Sequence, residues 1–210
     1  MNHIIIRTCI KDDYLARLCY ESFKLAKIDG NYIFLADDGN YKHIININKT
    51  EIIYKKETNN YGGHAGVVGL LHNGLNNVQF DDEDIVIISD SDIIVFDNFL
   101  TEVNVDHCGV GGRDSLTGLF HLSGQMQIFK GHIANRLKNL TSEEIHHVVH
   151  KEMVPSNINV ADDTFNSYMT DKWACSKKLL PINLWIHYKA YEFNNTDYLK
   201  AIEEIRKKFL

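Results

Sequence analysis

Two aspartates separated by a serine, Asp90-Ser91-Asp92, interrupt an otherwise aliphatic stretch, DIVIISDSDIIVFDNF, over residues 84–99. Carboxylates this close repel one another, and burial beside an apolar run deepens the repulsion. A divalent cation between them relieves it, because Mg2+ or Mn2+ takes hard oxygen ligands from protein, phosphate and water. At the carboxyl end of a strand in an α/β sheet, the pair faces the crevice where such sheets bind ligands. The residues therefore predict a metal site held by Asp90 and Asp92, with Ser91 at the bound phosphate group. The competing reading is a polar turn in which Asp90 or Ser91 caps the next element.

Four further stretches could do chemistry. FLADDG ends an apolar run with Asp37 and Asp38, which suit either a ligand contact or a plain Asp-Gly turn. YGGHAG, residues 61–66, places glycines and His64 just before a predicted helix. Glycines let a backbone approach a ligand and a helix N-terminus favours phosphate, although a capped loop has the same composition. VADDTFNSYM puts Asp162 and Asp163 at a helix start, where an aspartate can act on a substrate or simply cap the helix. LWIHYKAYEF brings His187 and Lys189 late in the chain, and SGQMQIFKG offers Gln125 on a strand with a polar face.

The elements that must position these residues follow from hydrophobic patterning. HIIIRTCI, NYIFLAD, HIININ, EIIYKK and DIVIIS read as Ile-rich strands bounded by turn residues. DDYLARLCYESFKLAKIDG between the first two has apolar residues at helical spacing, acidic residues at its start and Gly30 beyond its end. A second helix is expected over 64–76. Strand–helix–strand alternation implies a mostly parallel sheet with helices on both faces, and runs such as IVII suit strands buried on both sides. In the second half, HCGVGGR and SGQMQIFKG read as strands. SEEIHHVVHKEM after Thr141 reads as a helix whose His146, His147 and His150 face outward. DDTFNSYMTDKW, a short strand in WACSKKLL and a last helix DYLKAIEEIRKKF complete the chain. The organisation is one domain over 1–210, with a nucleotide-binding-like first half over about 1–100 and a mixed second half over about 101–210.

Composition narrows the function classes. The chain has 210 residues, enough for one sizeable core, with 44% hydrophobic and 24% charged residues. A net charge of −6 argues against nucleic acid or an anionic membrane as general partners. No apolar run reaches membrane length, and MNHIIIRTC is too short and too quickly charged for a signal peptide. Cys9, Cys19, Cys108 and Cys175 have no pairing or metal spacing, which predicts reduced thiols in a cytoplasmic location.

The opening strand IIIRTCI, the strand end FLADDG and the later IISDSDIIVF together resemble the GT-A-fold, nucleotide-sugar glycosyltransferases with an Asp-x-Asp motif. The chain also resembles small glycosyltransferase domains encoded by large algal viruses of the chlorella type, which would put it in a host-cell cytoplasm. The resemblance implies an α/β, GT-A-like single domain with a mostly parallel, Rossmann-type central sheet flanked by helices. It implies a transferase moving a hexosyl or deoxyhexosyl group from a UDP-sugar to a glycan, glycoprotein or other hydroxyl acceptor, with Mn2+ or Mg2+. On this pattern Arg7 and Thr8 lie by the nucleobase, Asp37 or Asp38 by the base or ribose, and His64 by the ribose and diphosphate. Gln125 lines the donor-sugar pocket, Asp162 and Asp163 contact sugar hydroxyls or supply the base, His187 is a third metal ligand and Lys189 meets the diphosphate. Inversion would use Asp163 as base, whereas retention would let the leaving phosphate take the proton; the residues leave both open. A rival is a Mg2+-dependent phosphatase of the haloacid dehalogenase type with Asp90 as nucleophile and Asp92 as acid/base. That family's motif ends the first strand, however, and several strands precede Asp90 here. A non-enzymatic, lectin-like module is the third reading.

Overall fold

In the computed structural model of the chain, residues 1–36, 39–54, 75, 78–113, 120–156, 158, 162–180, 185–187 and 197–209 are described. Strands β1 (Asn2–Thr8), β2 (Asn31–Ala36), β3 (Thr50–Tyr54) and β4 (Ile85–Asp90) pair in parallel, with β1 between β2 and β4. The sheet continues from β4 through β7 (Phe120–Lys130) to β6 (His107–Arg113) and β8 (Lys177–Leu179). Of these seven strands β7 alone runs against the others, since it is antiparallel to both β4 and β6. A mixed α/β domain with a mostly parallel sheet is the architecture expected from the sequence.

Burial explains why the strands lack polar alternation. Ile4, Ile6, Phe34 and Ile87 point to one face, where Ala16, Cys19 and Phe23 of helix α1 (Asp13–Leu25) cover them. Ile5, Ile33, Leu35, Val86 and Ile88 point to the other. There they meet helix α2 (Gly131–Lys138), helix α3 (Ser142–His147), a π-helical segment (Val148–Met153) and helix α4 (Asp162–Lys172). A strand buried on both faces must be apolar at every position. A third cluster seats Ala201, Ile202 and Ile205 of helix α5 (Tyr198–Phe209) against Leu15 and Leu18 of α1 and against Ile94 and Phe96.

Two local outcomes differ from the sequence reading, the HIININ segment and helix α2. HIININ is a turn rather than a strand, because the buried Asp13 carboxylate accepts the backbone N–H groups of Lys42, His43 and Ile44 at 2.5, 2.9 and 3.1 Å. Those donors are then lost to any ladder, and Ile44 and Ile47 anchor the turn in the core. Helix α1 ends before Gly30, as the sequence implies. Lys27 takes a left-handed φ of 56°, Ile28 N–H donates to Phe23 O and Lys27 N–H to Lys24 O, each at 3.0 Å, which is a Schellman closure. Helix α2 was not anticipated at all. It starts at Gly131, where a Cβ would lie 1.8 Å from Asp81 O, so only glycine permits the approach that lets Gly131 N–H reach Asp84 O at 2.8 Å. The helix expected over 64–76 lies outside the described residues.

Candidate active site

The parallel pairing of β1 with β4 places Arg7 in register with Asp90, so the two strands deliver opposite charges to one sheet edge. Arg7 Nη2 lies 2.6 Å from Asp90 Oδ1; the guanidinium is largely buried and the carboxylate about a third exposed. Thr8 is buried beside them, and its hydroxyl donates to Cys9 O at 3.2 Å. Beyond Asp90 the chain turns at buried Ser91 and half-buried Asp92 into β5 (Ile93–Val95). The two carboxylates therefore sit on a turn at the carboxyl end of the central strands.

The floor of this turn is built from α1. The Cys19 thiol is fully buried, 3.8 Å from Ser89 Oγ and 3.6 Å from Asp90 O. Burial pushes its pKa up strongly, and the nearby Asp92 and Asp90 carboxylates add to the rise. Cys19 is thus a neutral thiol donating weakly to the turn. Ser89 Oγ also donates to Asp90 O, at 3.0 Å.

β5 pairs antiparallel with β9 (Trp185–His187), and the register sets His187 opposite Ile93, the residue after Asp92. The late histidine is brought back to the acidic turn at the level of the backbone. Two carboxylates with a histidine position beside them form a donor set suited to Mn2+ or Mg2+, with oxygen ligands dominant. Among the described residues no group of three His, Cys, Asp or Glu side chains is arranged around one ion.

Strand β7 supplies the next wall. It pairs with β4 up to Met126 opposite Ser89, while its register with β6 jumps between Gly109–Gln127 and Gly111–Leu122. Residues 123–126 therefore bulge out of the β6–β7 ladder, and half-buried Gln125 sits on that excursion next to the acidic turn. Side chains from α4 close it. Gln127 Nε2 donates to Leu122 O at 3.1 Å, Asn166 Nδ2 donates to Gln127 Oε1 at 3.0 Å, and Leu122 N–H donates to Ser167 Oγ at 3.1 Å. Thr170 Oγ1 donates to Asn166 O at 2.8 Å and accepts from buried His107 Nδ1 at 3.0 Å. Burial holds His107 neutral, with Lys177 adding to the effect. The same helix opens with Asp162 and Asp163, so the clasp fixes the helix that carries them relative to the excursion.

The structure brings Arg7, Thr8, Asp90, Ser91, Asp92 and Gln125 to one end of the sheet, with the backbone of His187 beside them. Asp37, Asp38, His64 and Lys189 lie outside the described residues. The sequence reading missed Gln127, Asn166 and Ser167, which read as ordinary strand and helix polar residues. The available signal was their density: Thr164, Asn166, Ser167 and Thr170 are all buried on one short helix, a pattern that needs a polar partner surface. It also missed Asp13, whose place in an acidic helix start hid its role in holding the 42–44 turn.

This architecture is that of the GT-A glycosyltransferases. A galactosyltransferase, LgtC, crystallised with donor and acceptor sugar analogues, superposes with a TM-score of 0.61 at 10% identity, over 99% of this chain and 96% of that one. The glycosyltransferase GlyE of Streptococcus pneumoniae TIGR4 superposes with a TM-score of 0.55 at 13% identity, over 100% of this chain and 65% of that one. No protein-family model and no curated protein matches the sequence.

Proposed function

We propose that the chain is a metal-dependent glycosyltransferase that moves a sugar from a nucleotide diphosphate donor, a UDP-sugar, to a hydroxyl of a glycan or glycoprotein acceptor. The observation that carries this reading is the Asp90-Ser91-Asp92 turn at the carboxyl end of β4, beside Arg7 and on a glycosyltransferase fold. In this reading Asp92 and Asp90 hold the ion, with His187 as a third donor. A bound Mn2+ or Mg2+ supplies electrostatic stabilisation of the diphosphate leaving group. Arg7 holds the Asp90 carboxylate in one orientation. Thr8, Asp37 and Asp38 bind the nucleoside, while Ser91, His64 and Lys189 meet the phosphates. Gln125 orients the donor sugar. Asp162 and Asp163 bind sugar or acceptor hydroxyls, and Asp163 takes the acceptor proton if the reaction inverts. Nothing in the fold favours the phosphatase reading, since the Asp-x-Asp pair closes the fourth strand of the chain.

The reading is tested by thermal shift with UDP, GDP, CDP and ADP, each with Mn2+, followed by Mn2+-dependent hydrolysis of a nucleotide-sugar panel. UDP with Mn2+ should give the largest shift, and Asp92→Asn should abolish both the shift and the hydrolysis while keeping the unliganded melting temperature. Full turnover in Asp92→Asn would sink the metal assignment, and a larger shift with GDP would sink the uridine assignment.

A further inference from the structure

A second cluster of metal-ligating side chains lies on the helical layer, on an element the acidic turn does not touch. Helix α3 begins at a capping box, in which Glu144 N–H donates to Thr141 Oγ1 at 3.2 Å and Thr141 N–H to Glu144 Oε2 at 2.7 Å. It runs without a break into the π-helical segment at Val148. Ile145, Val148, Val149 and Met153 turn inward to the core, leaving His146, His147 and His150 exposed. His146 and His150 are four residues apart and straddle the junction. On a regular α-helix such a pair is offset by about 40° around the axis. A π turn holds more residues than an α turn and takes up part of that offset. The two rings accordingly lie one over the other, with centroids 4.4 Å apart and an angle of 41° between their planes. His147 points elsewhere, its Nε2 being 3.6 Å from Glu152 Oε1.

Two imidazoles at His-x-x-x-His spacing on one helical face are the paired-histidine half of a helical zinc motif. Nitrogen ligands bind Zn2+ at about 2.0–2.1 Å, so two on one ion lie about 3 Å apart, within reach of rings already this close. Imidazole nitrogens suit Zn2+, Ni2+ and Cu2+, whereas Mg2+ takes carboxylate, carbonyl and water oxygens. We propose that His146 and His150 form a two-point surface chelate for a borderline divalent transition metal ion, with open coordination positions facing solvent. Its ligand preference is opposite to that of the oxygen-rich pair Asp90 and Asp92. An ion held there ties the last turn of α3 to the π segment and so braces the junction.

The test uses the full chain carrying Asp92→Asn, stripped with chelator, so that the acidic turn does not contribute. Calorimetric titration with Ni2+ and with Zn2+ should show about one equivalent bound, and Mg2+ should give no heat from this site. Adding His146→Ala or His150→Ala should each weaken binding at least tenfold, while adding His147→Ala should leave it unchanged. All three histidines are exposed, so these variants fold. Undiminished binding in His146→Ala and His150→Ala, or an equal loss in His147→Ala, would overturn the proposal and assign the metal to scattered surface histidines. Because Asp92→Asn is present throughout, the outcome does not depend on whether the acidic turn is a catalytic site.

Discussion

Asp90 carries two demands, an ion pair with Arg7 and a place in the proposed metal site. The Arg7 contact at 2.6 Å orients the carboxylate from the β1 side. The pair of aspartates stands out in the sequence as two acids between aliphatic runs, and the structure puts them on a turn at the end of β4. Arg7 as the partner of Asp90 was not legible, since only strand register brings positions so far apart in the chain together. The late acidic pair separates a capping role from a chemical one. Asn caps a helix about as well as Asp, so as caps Asp162→Asn and Asp163→Asn should leave turnover intact. As sugar-binding or base residues, at least one should lower kcat by roughly a hundredfold, the scale of general-base assistance. Steady-state rates on the active nucleotide sugar, with melting curves for both variants, decide between the roles.

Among the elements, strands and long helices were read correctly wherever apolar spacing was strong, as in β1, β2, β4, α1 and α5. The failures share a cause: a side chain or backbone bond from a distant element outvoted local pattern. Asp13 converted a predicted strand into a turn, and Asp84 with Asp81 made a helix start of a glycine read as the end of a strand. Helix α1 closes before Gly30, as the sequence implies, and Lys27 occupies the left-handed position. A side chain there costs about 1 kcal/mol relative to glycine. Lys27→Gly should therefore raise the melting temperature by roughly 2–4 °C, measured by calorimetry. The clasp on β7 makes the opposite prediction. Asn166→Leu leaves the buried Gln127 carbonyl without its donor, at a cost on the order of 1–3 kcal/mol. The Asn166→Leu and Gln127→Leu effects on denaturant unfolding should be non-additive by about 0.5 kcal/mol or more, as expected for directly bonded groups.

The whole molecule is fastened at the end of the sheet away from the acidic turn. There the buried Asp84 carboxylate lies 2.5 Å from the N-terminal ammonium, 3.0 Å from His3 Nε2 and 2.9 Å from Asp81 N. Burial by itself pushes the Asp84 carboxyl up, but these hydrogen bonds outweigh it and hold it below the ordinary aspartate value. A carboxyl whose folded pKa is depressed stabilises fully above its unfolded value, about 3.9, and loses that contribution as pH falls through the folded pKa. Asp84→Asn should thus melt below the parent at neutral pH, and the gap should narrow as the pH is taken below about 4. A gap that stays constant in melting curves across that range would mean that the charge is not what matters. No helix among the described residues is long and apolar enough to cross a membrane.

The register of Arg7 with Asp90 also governs how the protein is made. These residues are 83 positions apart, and β9 must close a comparable distance to reach β5. Contacts of such long range are reached slowly, because loop-closure entropy is spent before any pairing rewards it. α1 and β2 can form early from neighbouring chain, whereas the acidic turn acquires its surroundings only when β4 inserts beside β1. Assembly of the acidic turn is therefore expected late in refolding, trailing the return of helical signal, and the β5–β9 pairing that brings the His187 backbone beside it needs the last part of the chain.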